Sequence, residues 1–291
     1  MPHIGQLNRC KIMAKKLYWH KKQDLDVLKG ELERDNVVIC STDTIYGFLG
    51  NITRNSFDEI CRLKGVSETR PFLILVSRHG LTGRLAGFVD MSSISEKTLK
   101  FVQKCWPGPV TFLFKAKQVE AHSVKDGGLS GVKGSMYEDS LEDLLGFLPK
   151  NMEGMELFTF GGKRTKDFLS AGRETIAIRC PDHEGLQEIL INFGGLFSTS
   201  ANKAGMPAPV KFENIDPSLL DPDLSSCYSL DLDLPNHVNY VVLDQKEGVS
   251  ERASTIVDLS CPDYSREFPF GLVREGDYSF VALQAIYKSV S

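Results

Sequence analysis

Hydroxyls, cations and amides gather at a few places in this chain, and their types suit an anionic ligand. They are Thr42-Asp43-Thr44-Ile45-Tyr46-Gly47, Lys64 with Arg70, Trp106-Pro107-Gly108-Pro109 before Thr111, Arg179, Ser198-Thr199-Ser200-Ala201-Asn202, Ser254-Thr255 and Arg274. Arg and Lys supply charge while Ser, Thr and backbone N–H groups supply orientation, which fits a ligand bearing phosphate and carboxylate. Taken singly, each has a plainer reading: Lys64 as a solvated helix-end lysine, Arg179 as a salt-bridged strand residue, Asn202 as a turn former. Asp43 could act as a base, although one carboxylate in a turn says little. Several familiar chemistries are excluded, because there is no GxxxxGK[ST], no GxGxxG after a strand, no GxSxG and no HExxH. The histidines at 3, 20, 79, 122, 183 and 237 show no metal spacing, and His183 after Pro181-Asp182 reads as a helix cap.

The elements that must hold these residues follow from periodicity. Asp24 is placed to cap a helix running to about Asp35, with Leu25, Leu28 and Leu32 on one face. A buried strand follows at 37–41, then a turn in which Gly47 lets the chain swing away, then a helix over 56–64. The apolar runs at 71–77, 110–114, 175–180, 196–200, 239–244 and 254–259 read as strands, with helices near 80–88, 93–105 and 184–193. Strands alternating with helices predict an α/β domain with a twisted, open, mixed sheet flanked by helices. In such sheets ligands bind beyond strand ends, so clusters distant in sequence can converge.

The chain of 291 residues divides by this reading into a basic N-terminal extension at 1–23 and a single domain at 24–291, with a loop-rich insertion at about 116–172. Nine of the 25 glycines fall in that insertion, where 140–148 could form a short amphipathic helix and the whole could act as a lid. Residues 1–22 carry Arg9, Lys11, Lys15, Lys16, Lys21 and Lys22 and no acid, which would suit nucleic acid or an anionic surface as well as plain solvation. No apolar run is long enough to cross a membrane, and the N-terminus has no signal-peptide core. Seven scattered cysteines without a CxxC pair fit reduced thiols in a cytoplasmic protein.

In order, these blocks resemble one family. STDTIYGFLGN is similar to the PTDTVYGLG-type opening of the YrdC-type threonylcarbamoyl-AMP synthases, and LKGVSETRPFLILVS to the segment that follows it. WPGPVTFLF, TIAIRCPDH, STSANKAGMPAP, ASTIVDL and LVREG match later blocks in the same order. The resemblance implies a nucleotidyltransferase that combines L-threonine, bicarbonate and ATP with Mg2+, releases pyrophosphate, and feeds threonylcarbamoyladenosine modification of tRNA. It implies Lys64, Ser200 and Asn202 at the centre of catalysis, and Thr42, Thr44, Tyr46 and Ser254 around threonine. Around the nucleotide it implies Lys64, Arg70, Thr111, Arg179, Ser200, Asn202 and Arg274, with no protein-bound metal. Partners would be tRNA or the proteins that transfer the threonylcarbamoyl group to it, and no membrane. Val66 stands where the family has the Arg of a Lys-x-Arg pair, a guanidinium contact worth about 1.5–3 kcal/mol. Ala208 stands in GMPAP where the family has GxPSP. Two alternatives remain at this point: a non-catalytic nucleotide- or RNA-binding module, and a carbamoyl-adenylate-forming paralogue with another acceptor.

Overall fold

A computed structural model describes residues 13–66, 71–117, 169, 173–221, 237–244, 250, 252–261 and 267–290. Among them, β1 (Lys15–Tyr18), β2 (Val38–Cys40), β3 (Gly47–Asn51), β4 (Leu73–Leu75), β5 (Val110–Lys115), β6 (Thr175–Arg179), β7 (Leu196–Ser200), β8 (Tyr240–Leu243), β9 (Thr255–Asp258) and β10 (Gly271–Arg274) make one sheet. Its order is β1-β8-β2-β3-β7-β4-β6-β5-β9-β10, and its pairings mix parallel and antiparallel neighbours. Helices among the described residues include α1 (Lys22–Glu33), α2 (Arg54–Lys64), α3 (Leu81–Phe88), α4 (Glu96–Cys105), α5 (Glu184–Leu190) and α6 (Phe280–Ser289).

Alternate strand residues feed two cores, which is why the strands read as continuous apolar runs. On one face Leu25, Leu28 and Leu32 of α1 and Leu186, Ile189 and Leu190 of α5 pack on Val38, Cys40, Leu49, Leu196 and Val242. On the other, Phe57, Ile60 and Leu63 of α2 and Phe101 and Val102 of α4 pack on Ile39, Phe48, Phe112, Phe197 and Val257. Each fully buried Leu or Phe of this kind contributes about 1.5–3 kcal/mol. Cys40, Cys61, Cys105 and Cys180 are buried in these cores, and burial pushes the Cys180 thiol up to about 11 and that of Cys105 to about 12.

The register decides what meets what. β5 runs antiparallel to β6 with Phe112 opposite Ile178, and parallel to β9 with Thr111 opposite Ile256. The starts of β5 and β9 therefore lie beside the ends of β6 and β10, so Thr111, Ser254, Arg179 and Arg274 gather at one end of this half of the sheet. Lys115 faces Thr175 and the Ala116 N–H donates to Glu174 O at 2.7 Å. The loop-rich stretch consequently leaves and re-enters at the opposite end of the β5–β6 hairpin from Thr111 and Arg179. Residues 118–168 and 170–172, with the helix expected at 140–148, lie outside the described residues.

Four features differ from the sequence expectation. Residues 15–18, within the basic stretch, form edge strand β1, parallel to β8 with Leu17 buried. The charge that suited an anionic surface is partly engaged: Lys15, Lys16 and Lys21 lie over the rings of Tyr240, Phe212 and Tyr18 at 5.9, 4.5 and 4.4 Å. α1 begins two residues before Asp24, whose carboxylate accepts from the Tyr18 N–H at 2.9 Å instead of capping. Gly47 is not a turn; it opens β3, and a Cβ there would stand 3.1 Å from Thr199 O and 3.2 Å from Ser198 Oγ, so glycine serves close strand approach. No helix among the described residues is long and apolar enough to cross a membrane.

Candidate functional site

Lys64 is placed by the two ends of α2. Thr53 caps the start by accepting from the Ser56 N–H at 3.2 Å. Gly65 ends the helix in the left-handed region at φ 64°, and the Val66 N–H returns to Cys61 O at 3.0 Å. Val66 packs partly buried against the core, so the residue at the missing guanidinium's place is a cap contact. Lys64 Nζ donates to Ser200 O at 2.7 Å, Asn202 O at 2.9 Å and Asn202 Oδ1 at 3.2 Å, beside the Phe48 ring. Ser200 Oγ also donates to Asn202 Oδ1, and Asn202 Nδ2 donates to the carbonyls of Lys203 and Met206. These bonds fix which way the amide faces.

The loop 41–46 links this cluster to a second one. Backbone bonds from the Ala201 N–H to Tyr46 O and from the Tyr46 N–H to Pro209 O, both 3.0 Å, tie its end to the Ser200 turn. Its middle carries a one-way chain of hydroxyls. Thr42 Oγ1 donates to Ile45 O at 2.7 Å, so Thr44 Oγ1 must be the donor in the 3.1 Å contact between the two threonines. Thr44 Oγ1 then accepts from Arg179 Nη1 at 3.0 Å. Thr42 also accepts from the Thr44 N–H at 3.1 Å, which fills its hydrogen-bonding capacity from within. To grip a ligand, this hydroxyl must release a bond it already makes.

Arg179 is 3% exposed and pairs with the buried carboxylate of Asp43, Nη2 to Oδ1 at 3.0 Å. Its Nε is buried with no partner among the described residues. Beside it, the Thr111 and Ser254 hydroxyls meet at 2.8 Å, and Arg274 Nη2 donates to Ser254 O at 2.7 Å. Of that hydroxyl pair's two protons only one is used between them, leaving one for a ligand. Two local devices aim these groups. The β9–β10 register shifts between Leu272 and Arg274, a bulge that turns the arginine toward Ser254. Trp106 Nε1 donates to Val110 O at 2.6 Å and the Gly108 N–H to Cys180 O at 2.9 Å, clamping the start of β5. Burial first, and then the neighbouring charge of Arg179, lower the Arg274 pKa from its usual range. The two guanidiniums thus feel one another, and Arg274 has no carboxylate partner among the described residues. An anion between them would relieve the repulsion.

Behind the loop stands a brace. Ser41 Oγ donates to Asp244 Oδ2 at 2.7 Å, His183 Nε2 lies 3.2 Å from both Asp244 oxygens, and Trp19 Nε1 donates to Ser41 Oγ at 3.0 Å. His183 Nδ1 accepts from the Leu186 N–H at 3.1 Å, so His183 caps α5 as its sequence position implied. With Nδ1 accepting, Nε2 carries the proton to Asp244. Burial acts to raise the Asp244 pKa, but the hydrogen bonds from His183 and Ser41 outweigh it and hold it below its ordinary value of 3.8. A depressed folded value means stabilisation present above the ordinary pKa and lost as pH falls through the folded one. Asp244→Asn should therefore melt below the parent at pH 7, with the gap closing as pH falls below 3.8; thermal melts across pH check this, and a constant gap would contradict it.

The structure thus brings Lys64, Ser200 and Asn202 together, joins Thr42 and Thr44 to Arg179, and joins Thr111, Ser254 and Arg274. Tyr46 is buried between the first two groups, and Ala208 is half-buried next to Pro209. Arg70, expected as a nucleotide contact, lies outside the described residues. The Sua5_yciO_yrdC family model, described as telomere recombination, matches residues 31–134 and 148–276. The chain belongs to the Sua5/YciO/YrdC family. Thr42 through Arg274 fall within the stretches that the Sua5/YciO/YrdC model spans, with 135–147 left out. A threonylcarbamoyl-AMP synthase of Bos taurus is 25% identical over 248 residues, 84% of this chain and 65% of that one. One of Enterobacter sp. (strain 638) is 26% identical over 189 residues, 64% and 71%. P. abyssi Sua5, solved in complex with L-threonine, is similar in fold with a TM-score of 0.59 at 16% identity, over 96% of this chain and 62% of that one. This chain spans slightly less than two thirds of the bovine and P. abyssi proteins.

Ser41 and Asp244 carry no signal in the sequence, and Asp43 shows there only as a weak candidate base. Asp43 sits inside a quoted motif, but its partner is 136 residues away, and no spacing rule reports that.

Proposed function

We propose that this chain is a threonylcarbamoyl-AMP synthase, joining L-threonine, bicarbonate and ATP into threonylcarbamoyl-adenylate and pyrophosphate for tRNA threonylcarbamoyladenosine modification. The observation that carries this is the arrangement of two cationic clusters, Lys64 with Ser200 and Asn202 and Arg179 with Arg274, on either side of a hydroxyl-bearing loop. The names of the relatives support it, as does the L-threonine complex of P. abyssi Sua5.

In this reading the threonine amine captures carbon dioxide from bicarbonate as a carbamate. A carbamate oxygen then attacks the α-phosphorus while the bond to the β-phosphate oxygen breaks, and pyrophosphate leaves. The chain supplies position and charge rather than a nucleophile. Lys64 and the two arginines offset phosphate charge, the spare Thr111–Ser254 proton meets an oxygen, and Thr42, Thr44 and Tyr46 wall the amino acid. Mg2+ enters as the companion of the ATP phosphates. We place the reaction in the cytoplasm, with tRNA or its threonylcarbamoyl-transfer proteins downstream.

Acceptor choice tests this reading. ATP consumption measured with bicarbonate and a panel of amino acids should rise with L-threonine well above the rest, and equal stimulation by unrelated amines would point to a paralogue with another acceptor.

A further inference from the structure

We infer that Asp43 is a positioning residue for the nucleotide side of the site, acting through Arg179. This rests on the proposal above that Arg179 faces nucleotide phosphates. Both partners are almost wholly buried, Asp43 6% and Arg179 3% exposed. Each oxygen of the carboxylate is committed: Oδ1 accepts from Arg179 Nη2 at 3.0 Å and Oδ2 from the Asp182 N–H at 3.0 Å. A carboxylate occupied on both oxygens by fixed donors is poorly placed to take a proton from a substrate, so its chemistry is orientation rather than general base catalysis.

That orientation is specific. Thr44 Oγ1 accepts from Nη1 at 3.0 Å while Asp43 holds Nη2, so the guanidinium plane is pinned at both terminal nitrogens. The guanidinium nitrogen left over is Nε, which is buried and has no partner among the described residues. An arginine serving fold alone would satisfy that donor inside the protein, because an orphaned buried N–H is costly. Holding the two terminal nitrogens of the fork and leaving the third nitrogen unfilled presents a pre-set edge to an anion, with Arg274 close enough to feel the Arg179 charge. Asp43 also connects this edge to its surroundings. Through the Asp182 N–H it reaches the turn that leads to the His183 cap, and Ser41, two residues earlier, is fixed to Asp244. The loop and the end of β6 therefore keep one relative position before any ligand arrives.

ATP affinity, measured by calorimetry without threonine or bicarbonate, tests this on the parent, Asp43→Asn, Thr44→Val, Arg179→Met, and Asp43→Asn and Thr44→Val each combined with Arg179→Met. Asp43→Asn keeps an acceptor but loses the charge and one of the two anchored oxygens. It should weaken ATP about tenfold or more, Thr44→Val about threefold, and neither should weaken it further once Arg179 is Met. A purely structural role predicts losses that persist on the Arg179→Met background, and that result would overturn the inference. So would an Asp43→Asn protein with parental ATP affinity. If Asp43→Asn alone fails to fold, Thr44→Val with and without Arg179→Met gives the same cycle, and additive losses there count against the inference equally. ATP binding absent from the parent would bring down the nucleotide reading and this inference together, whereas parental binding unchanged in the variants would remove this inference alone.

Discussion

Lys64→Ala is expected to cut threonine-dependent pyrophosphate release about 10²–10³-fold, the range seen when a donor aimed at developing charge is removed. The ammonium holds the carbonyls of Ser200 and Asn202 and the Asn202 amide oxygen, so its loss removes a positive charge and unties the turn that places two other site residues. Helix α2 should survive, since its Thr53 cap and Gly65 terminus do not involve the side chain and Ala is a strong helix former. A circular dichroism melt close to the parent's alongside the rate loss would assign the effect to the site. A loss below about fivefold would leave Lys64 as a brace for the Ser200 turn and shift the charge role to the arginines.

Arg179→Met should have the largest effect on stability. It strands the buried Asp43 carboxylate, and breaking a buried pair by removing one partner costs about 3–5 kcal/mol. In a protein of this size that corresponds to a thermal midpoint lower by roughly 10 °C. Adding Asp43→Asn should return most of the difference, because replacing both members of a buried pair is close to neutral. If Arg179→Met melts with the parent, the pair contributes little and the loop is held by Ser41 and the Tyr46 backbone bonds instead.

Most of the sheet was legible because its inner strands are buried on both faces. VVIC, LIL, VTFLF and TIAIR need no partner information to read as strands, and the mixed, helix-flanked architecture follows from their alternation with helices. What escaped were strands whose composition reports their edge or their neighbours. β1 is KKLY, and the lysines of an edge strand look like a charged tail until β8 is known to lie beside it. β3 is GFLGN, where two glycines suggest a turn, yet Gly47 suits a strand there because Thr199 O passes 3.1 Å from where a Cβ would stand. β10 carries exposed Leu272 and Val273 at the other sheet edge and has a bulge, so it lacks a clean alternating pattern.

The site divides the same way. Residue types and their clustering pointed to an anion-binding surface, because hydroxyls and cations recur at the ends of apolar runs. The pairings were not legible. Arg179 with Asp43 and Thr44, Thr111 with Ser254, and Lys64 with Ser200 and Asn202 are each joined across at least 135 residues. Such contacts are set by sheet order. Val66 is instructive in the other direction: as a missing guanidinium it counted against catalysis, whereas in the fold it completes the end of α2 that fixes Lys64.

The most direct measurement is pyrophosphate release from ATP by the purified chain with bicarbonate and Mg2+, with and without L-threonine. Release that depends on threonine, and that is lost in Lys64→Ala, is the predicted result. ATP binding without any release would contradict the synthase reading and make the chain a nucleotide-binding member of its family.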